Sequence, residues 1–325
     1  MKRYWGILGL QLALVASGNV AASYLDNPAA REFIDKMVAE HQFDQQEMNS
    51  LFEEAAKKQS IIDAMNRPAE KTKPWYEYRK HFINEKRIDL GVEFWLENRD
   101  TLEKAYQEYG VNPEIVVAII GVETYYGRIM GSFRVVDALS TLAFDYPKRS
   151  AFFTKQLEHF LLLAREQHKQ PLELMGSYAG AMGYGQFIPS SYRAYAVDFD
   201  KDGVADIWAN KVDAIGSVAN YFAEHGWQKD GKVVLQATAP NQPVENINKL
   251  KLGYTLDSLR DSGMGTIGKL PGDTRAMPLE LELEDGNAYW IGLQNFYTIT
   301  RYNHSHLYAM AVYQLSELIK ERVGD

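Results

Sequence analysis

Two groups of residues in this 325-residue chain have types and spacings that could do chemistry. The first is a single glutamate, Glu123, in a run where Ile115, Ile119, Val122 and Tyr126 recur at helical spacing. Asn112-Pro113 reads as the start of that helix, a cap followed by proline in the first turn, and Gly127 reads as its stop. Glu123 comes four residues after Ile119 and eight after Ile115, which puts it at the edge of the core-facing stripe. Burial disfavours the charged form of a carboxyl and lifts its pKa from ~4.3 toward ~6, so that it holds a proton at neutral pH. Cleavage of a glycosidic bond needs such an acid, because the leaving oxygen must be protonated as the sugar ring becomes oxocarbenium-like. The competing reading is structural, with Glu123 paired to Arg128 or another cation, and helix position alone favours it.

The second group is Asp198, Asp200 and Asp202, at positions one, three and five of an EF-hand-like loop, with Gly203 where the chain must turn sharply. Hard oxygen ligands at this spacing wrap a Ca²⁺ ion, the Val204 carbonyl serving at position seven and Asp206 at position nine. Position twelve, normally a bidentate glutamate, is Ala209, so the ordinary loop is incomplete. The alternative is an Asx-rich solvated turn. A bound ion would clamp the structure rather than catalyse, since Ca²⁺ polarises water weakly and Glu123 already supplies an acid.

These residues need a scaffold, and the sequence outlines one. Residues 27–145 show apolar residues at threes and fours, broken by an aromatic cluster at Trp75–Arg79 behind Pro74. Helical periodicity returns over 151–165 and 212–225. After Gly226 the texture changes: Leu279, Leu281 and Leu283 alternate with Glu280, Glu282 and Glu284, then Asp285-Gly286 signals a hairpin turn before Tyr289–Leu293. A last helix opens at Ser305, with Leu307, Met310, Leu315, Leu318 and Ile319 on its apolar side. At the other end, Lys2 and Arg3, the apolar run 7–16 and the small residues Val20-Ala21-Ala22 read as an export signal, too short to span a bilayer. Its removal would take the net charge from −8 to −10. An acidic chain argues against nucleic acid as a partner. With no cysteine there is no disulfide, no thiol catalysis and no lipid on a cysteine. The expectation is a soluble periplasmic protein with no integral membrane segment.

The stretch Gly121-Val122-Glu123-Thr124-Tyr125-Tyr126-Gly127-Arg128 resembles the catalytic motif of the membrane-bound lytic murein transglycosylase B family. Further blocks agree in order and spacing: 137–147 (DALSTLAFDYP), 180–191 (GAMGYGQFIPSS), 213–221 (DAIGSVANY) and 300–305 (TRYNHS). The resemblance covers nearly the whole chain beyond the signal. It implies a mainly α, α+β protein: a lysozyme-like helical core, a helical N-terminal domain, and a small antiparallel β domain before the last helix. The boundaries expected are a signal at 1–22, an N-terminal helical domain at 23–75, the core at 76–229 with the calcium loop at 198–213, the β domain at 230–300, and a C-terminal helix at 301–325.

The resemblance also implies an activity. The family cuts between N-acetylmuramic acid and N-acetylglucosamine in peptidoglycan strands without water, leaving a 1,6-anhydromuramic end, with one glutamate acting as acid and then as base. A conventional glycosidase needs a second carboxylate, and the acids Asp137 and Asp145 stand in contexts that read as cap and turn. By motif, the substrate-groove residues are Tyr78, Arg149, Ser177, Gln186, Tyr221, Tyr302 and Tyr308, and the aspartate closing a longer calcium loop is Asp213. Aromatic faces suit sugar rings, while Ser, Gln and Arg suit acetamido and hydroxyl groups. Lys148-Arg149 stands where the family commonly has two arginines, which leaves planar two-pronged contact to Arg149. The rival functions are a hydrolytic muramidase, a non-catalytic peptidoglycan-binding protein and a calcium-regulated interaction protein. Cell-wall synthesis or division proteins are the partner class left open.

Overall fold

A computed structural model of the chain describes residues 23–67, 73–266 and 270–324. The export signal expected at 1–22 lies outside the described residues.

Three helices lead: α1 (Pro28–His41), α2 (Gln45–Glu54) and α3 (Gln59–Asn66). Asn27 and Asp44 cap the first two, each carboxamide or carboxylate oxygen accepting two amides of the first turn. Then follow α4 (Trp75–Phe82), α5 (Glu85–Glu97), α6 (Arg99–Tyr109), α7 (Pro113–Thr124), α8 (Val135–Phe144), α9 (Ser150–Glu166), α10 (Pro189–Tyr195) and α11 (Lys211–Glu224). The aromatic cluster at 75–79 is therefore a helix, where the sequence suggested an interruption. Pro74 only sets its start.

At the centre lies α7. Residues 114–121 of it are all buried, because α5, α6, α11 and the last helix all pack against it. The sequence suggested one apolar stripe; apart from Glu114, which pairs with Lys320 at 2.7 Å, the buried run is apolar on every side, as suits a core helix. It also stops at Thr124, three residues short of Gly127, and Asn112 makes no side-chain cap.

A two-stranded ribbon, β1 (Phe133–Arg134) with β2 (Met175–Gly176), borders the core. The β module is a four-stranded antiparallel sheet of β3 (Val234–Ala237), β4 (Tyr254–Thr255), β5 (Arg275–Glu282) and β6 (Asn287–Gly292), in the order β3-β6-β5-β4. In β5, Met277, Leu279 and Leu281 join the main core, while Ala276 packs with Leu235, Leu256, Leu259 and Ile291 in a second, smaller core that includes α12 (Leu256–Asp261). The alternation thus has a core on each face, and it ends at the hairpin tip, where Leu283 is exposed. Residues 294–300, placed by the sequence reading in the β region, belong to α13 (Gln294–Tyr302), and α14 (His306–Gly324) is the last helix. The Ser305 hydroxyl accepts the Tyr308 amide at 3.3 Å, as expected of its cap.

One buried carboxylate docks the N-terminal helices on the core. Asp137, 1% exposed, accepts the Ala56 amide at 2.9 Å and two guanidinium bonds from Arg134 at 2.9 and 3.0 Å. Its neighbour Thr141 accepts the Lys58 amide at 3.0 Å. Removing this carboxylate leaves the Arg134 guanidinium with Glu54 alone and orphans the Ala56 amide, so Asp137→Ala should lower unfolding stability by ~3 kcal/mol in urea titration. A loss below 1 kcal/mol would show that this docking does not depend on Asp137.

Candidate active site

Glu123 sits in the last turn of α7, where the backbone leaves the core. Three successive residues, Tyr125 (φ 54°), Tyr126 (φ 60°) and Gly127 (φ 82°), then turn left-handed. The Tyr125 and Tyr126 amides return to the carbonyls of Gly121 and Ile120, closing the helix. The buried Thr124 hydroxyl lies 2.9 Å from the Tyr184 carbonyl and accepts the Gly127 amide at 3.0 Å. Gly127 permits the close approach of this loop, since a Cβ there would fall 2.1 Å from the Tyr184 ring.

Burial raises the Glu123 pKa to about 7, against one opposing influence, a hydrogen bond from the Tyr308 hydroxyl to Oε1 at 2.5 Å. The structural reading, pairing with Arg128, fails: Arg128 lies 3.5 Å from Glu93. Among the described residues no cation pairs with Glu123. Its surroundings are tyrosines. Tyr308 and Tyr302 titrate well above 10, chiefly through burial and then through the Glu123 charge, and Tyr78 is raised for the same two reasons.

The structure thus brings Tyr78, Tyr302 and Tyr308 around Glu123 from three separate elements, α4, α13 and α14. Tyr302 donates to the Gly185 carbonyl at 2.5 Å, tying α13 to the loop that precedes α10. Gln186 stands on that loop at φ 51° and donates to the carbonyls of Met130 and Gly183 at 3.2 and 3.0 Å. Ser177 opens the same segment, and its hydroxyl accepts the Ala179 and Ala181 amides. Tyr221 is different: it is buried, its hydroxyl donates to the Arg301 carbonyl at 2.6 Å, and its ring meets Tyr302 edge-on at 4.8 Å. It supports Tyr302 from behind. Arg149 is exposed, its guanidinium over the rings of Phe152 and Phe153 at 4.4 and 5.1 Å, with no bond to Glu123 or the tyrosines around it.

Sequence reasoning gave no roles to Thr124, Phe187 and His225. Phe187 packs against both Tyr221 and Tyr302, and His225 stacks on Tyr221 at 4.0 Å. Thr124 and Phe187 fall inside the motif blocks, but nothing in their type or spacing announces a supporting role.

The aspartate loop divides. Carboxylate oxygens of Asp198, Asp200 and Asp202 lie within 4.8 Å of one another, and among the described residues no lysine or arginine pairs with them. Gly203, at φ 101°, makes the turn between them and Val204. Asp206 does not join this trio: it is paired with Lys169 at 2.9 Å and accepts the Trp208 and Ala209 amides. Asp213, fully buried, accepts the Phe199 and Asp206 amides at 2.7 and 2.8 Å, so it ties the two ends of the loop together from beneath. Protein donors satisfy both, which departs from the ligand set expected for them. The trio's chemistry and clustered negative charge fit a hard divalent cation.

A lysozyme-like helical core holding one desolvated acid among tyrosines is the architecture of a glycan-acting enzyme. The profile described as the transglycosylase SLT domain matches residues 26–317. Over 311 residues the chain is 47% identical to membrane-bound lytic murein transglycosylase B of Escherichia coli (strain K12), covering 92% of this chain and 85% of that protein. Among solved structures, the lytic transglycosylase SltB1 of Pseudomonas aeruginosa aligns with a TM-score of 0.89 at 49% identity, covering 93% of this chain and all of that one. The Escherichia coli lytic transglycosylase Slt35 in complex with calcium aligns with a TM-score of 0.87 at 46% identity, covering 95% and 99%. The chain belongs to the transglycosylase SLT domain family and is a peptidoglycan-cleaving lytic transglycosylase.

The raised pKa of Glu123 has a consequence for stability. The folded carboxyl keeps its proton up to about pH 7, whereas the ordinary value is 4.5, so between those values the native state binds more protons than the unfolded chain. Stability is therefore lost as pH rises through that window. Glu123→Gln, which stays neutral, should melt with wild type near pH 4 and be more stable by ~2 kcal/mol at pH 8. Melting curves at the two pH values measure this, and a pH-independent difference would contradict the burial of the acid.

Proposed function

We propose that Glu123 alone carries both proton transfers of the cleavage, first as acid and then as base. The feature that supports this is a carboxyl raised by burial to a pKa of about 7 with no cation paired to it among the described residues. Such a group is protonated often enough to give a proton and is basic enough to take one back. The protonated carboxyl gives its proton to the oxygen joining N-acetylmuramic acid to N-acetylglucosamine. As that bond breaks, positive charge develops at C1 of the muramic ring. The resulting carboxylate then removes the proton of the C6 hydroxyl of the same sugar, whose oxygen closes on C1 to give the 1,6-anhydro end. The proton balance closes on Glu123, and no water is consumed.

Tyr308 holds Oε1 throughout, which leaves Oε2 for the substrate. Tyr78 and Tyr302 line the cleft, with Gln186 and Ser177 on its loop and Tyr221 as the support of Tyr302. Arg149 reaches the substrate from the exposed rim, where its charge suits acidic groups on the strand. Asp137 and Asp145 do not serve as a second carboxylate: Asp137 binds Arg134 and Asp145 binds Tyr24 and Lys57.

The aspartate trio, with the Val204 carbonyl, is read as a structural Ca²⁺ site, supported by the spacing, by the clustered carboxylates and by the calcium complex of Slt35. The enzyme acts in the periplasm after export, where its peptidoglycan substrate lies.

Digestion of purified sacculi tests the mechanism. Wild type should release muropeptides with 1,6-anhydro ends, resolved by mass, and Glu123→Gln should be slower by ~10³-fold or more. Reducing ends without the anhydro form would mark a hydrolytic muramidase, and full activity in Glu123→Gln would remove the assignment. For the metal, millimolar Ca²⁺ should raise the melting temperature of wild type by several degrees and that of Asp200→Asn by much less. Equal shifts in both, or none in wild type, would reject the site.

A further inference from the structure

Beside Glu123 runs a feature that the cleavage chemistry does not use. Tyr78, next to Glu123, lies 5.2 Å from the ring of Phe82 one turn further along α4. The Arg87 guanidinium then stands over Phe82 at 5.4 Å and over Tyr125 at 4.7 Å. Four side chains from α4, α5 and the end of α7 thus form a continuous ladder of ring, ring, cation and ring that leads away from the acid. All four are partly exposed.

Its far end is built at a cost. Of the three left-handed residues after Thr124, Gly127 suits that conformation, and Tyr126 is fixed by burial and by its hydroxyl bond to the Arg87 carbonyl at 2.8 Å. Tyr125 has no such role: it is left-handed, where glycine or asparagine is favoured, yet it carries a large ring that the core does not bury. Arg87 is equally unusual. Its Nη1 donates to the His81 carbonyl at 2.5 Å, its buried Nε has no partner, and no carboxylate among the described residues pairs with it. The nearby acids Glu85 and Asp89 bind Arg322 instead. A desolvated guanidinium without a counter-ion is held here by two ring faces, and it fixes Tyr125 in return.

We propose that this ladder extends the cleft for a longer strand, with Tyr125, held by Arg87, taking the flat face of a glycan sugar beyond the bond that is cut. Aromatic rings pack on the apolar faces of sugars, and a ring immobilised beforehand loses little entropy on binding. Arg87 is a positioning residue, because its planar group wedges between two rings in a way that lysine does not. The inference rests on the reading of Glu123 as the acid of this cleft.

The test is binding in the Glu123→Gln background, where chemistry is stopped, using uncrosslinked glycan strands freed of peptide and, separately, a tetrasaccharide of two disaccharide units. Tyr125→Ala should weaken the strands by about five- to tenfold and the tetrasaccharide by less than twofold. Tyr125→Phe should match the parent on both. Tyr125→Gly suits the backbone and removes the ring, so it should lose strand affinity without a lower melting temperature. Arg87→Lys should fall between the parent and Tyr125→Ala. Equal losses on both ligands would assign Tyr125 a structural role, and unchanged strand affinity would also overturn the proposal. Failure of the Glu123 reading would show separately, as full cleavage by Glu123→Gln with the Tyr125 series unaffected.

Discussion

The active site depends on withdrawing most of a carboxyl from water while no cation among the described residues pairs with it. Burial alone would push Glu123 higher still, and a paired lysine or arginine would pull it down by ~1–3 units, leaving a poor acid. Tyrosine solves this physically. It excludes water with its ring, offers a hydrogen bond through its hydroxyl, and carries no charge at neutral pH. Because the same burial raises Tyr302 and Tyr308 well above 10, they stay neutral through both protonation states of Glu123. The Tyr308 hydrogen bond then favours the carboxylate just enough to oppose desolvation, and the balance falls at about 7.

That arrangement explains why distant parts of the chain converge. Glu123 lies on α7, and Tyr308 comes from α14, 185 positions later in the sequence. The close packing of α14 on α7 therefore sets the hydrogen bond. The β module enters the chain between α11 and α13, so Tyr302 follows directly from its exit, and the Tyr221 and Gly185 contacts fix that tyrosine in place. The aspartate loop lies in the connection from α10 to α11, with Asp213 in the first turn of α11 gripping both its ends. The same helix carries Tyr221. A clamp on the loop thus steadies the helix that supports the tyrosine that borders the acid.

Much of this was legible in the sequence, for identifiable reasons. The β5–β6 hairpin announced itself because alternation and Asp285-Gly286 are local signals, and the Ser305 cap is equally local. The boundary of α7 was misread because Gly127 looked like the stop, while packing against Tyr184 and a chain of left-handed residues ended the helix at Thr124. Periodicity also failed to show that α7 is surrounded, since a helix buried on every side has no stripe to read. Around Glu123, residue type named the acid but not its partners. Asp206 and Asp213 show the limit most clearly: loop spacing suggests the first as a ligand and the family resemblance the second, whereas Lys169 and backbone amides engage them in space.

The backbone that follows Glu123 joins these themes. A helix often ends on a single left-handed glycine, yet here three left-handed residues follow it, and two tyrosines among them return amides to its last carbonyls. Each non-glycine residue in that conformation costs about 1 kcal/mol, a cost that surrounding contacts must offset. For Tyr126 the offset is visible as burial and a hydrogen bond. For Tyr125 the ring has a tilted contact with Tyr126 at 6.3 Å and one guanidinium, itself desolvated and with no counter-ion among the described residues. Two unfavourable features that lean on each other beside a catalytic carboxyl are a poor design for stability. They are a reasonable one for holding an aromatic ring where a strand must pass, because neither side chain can relax without leaving the other exposed.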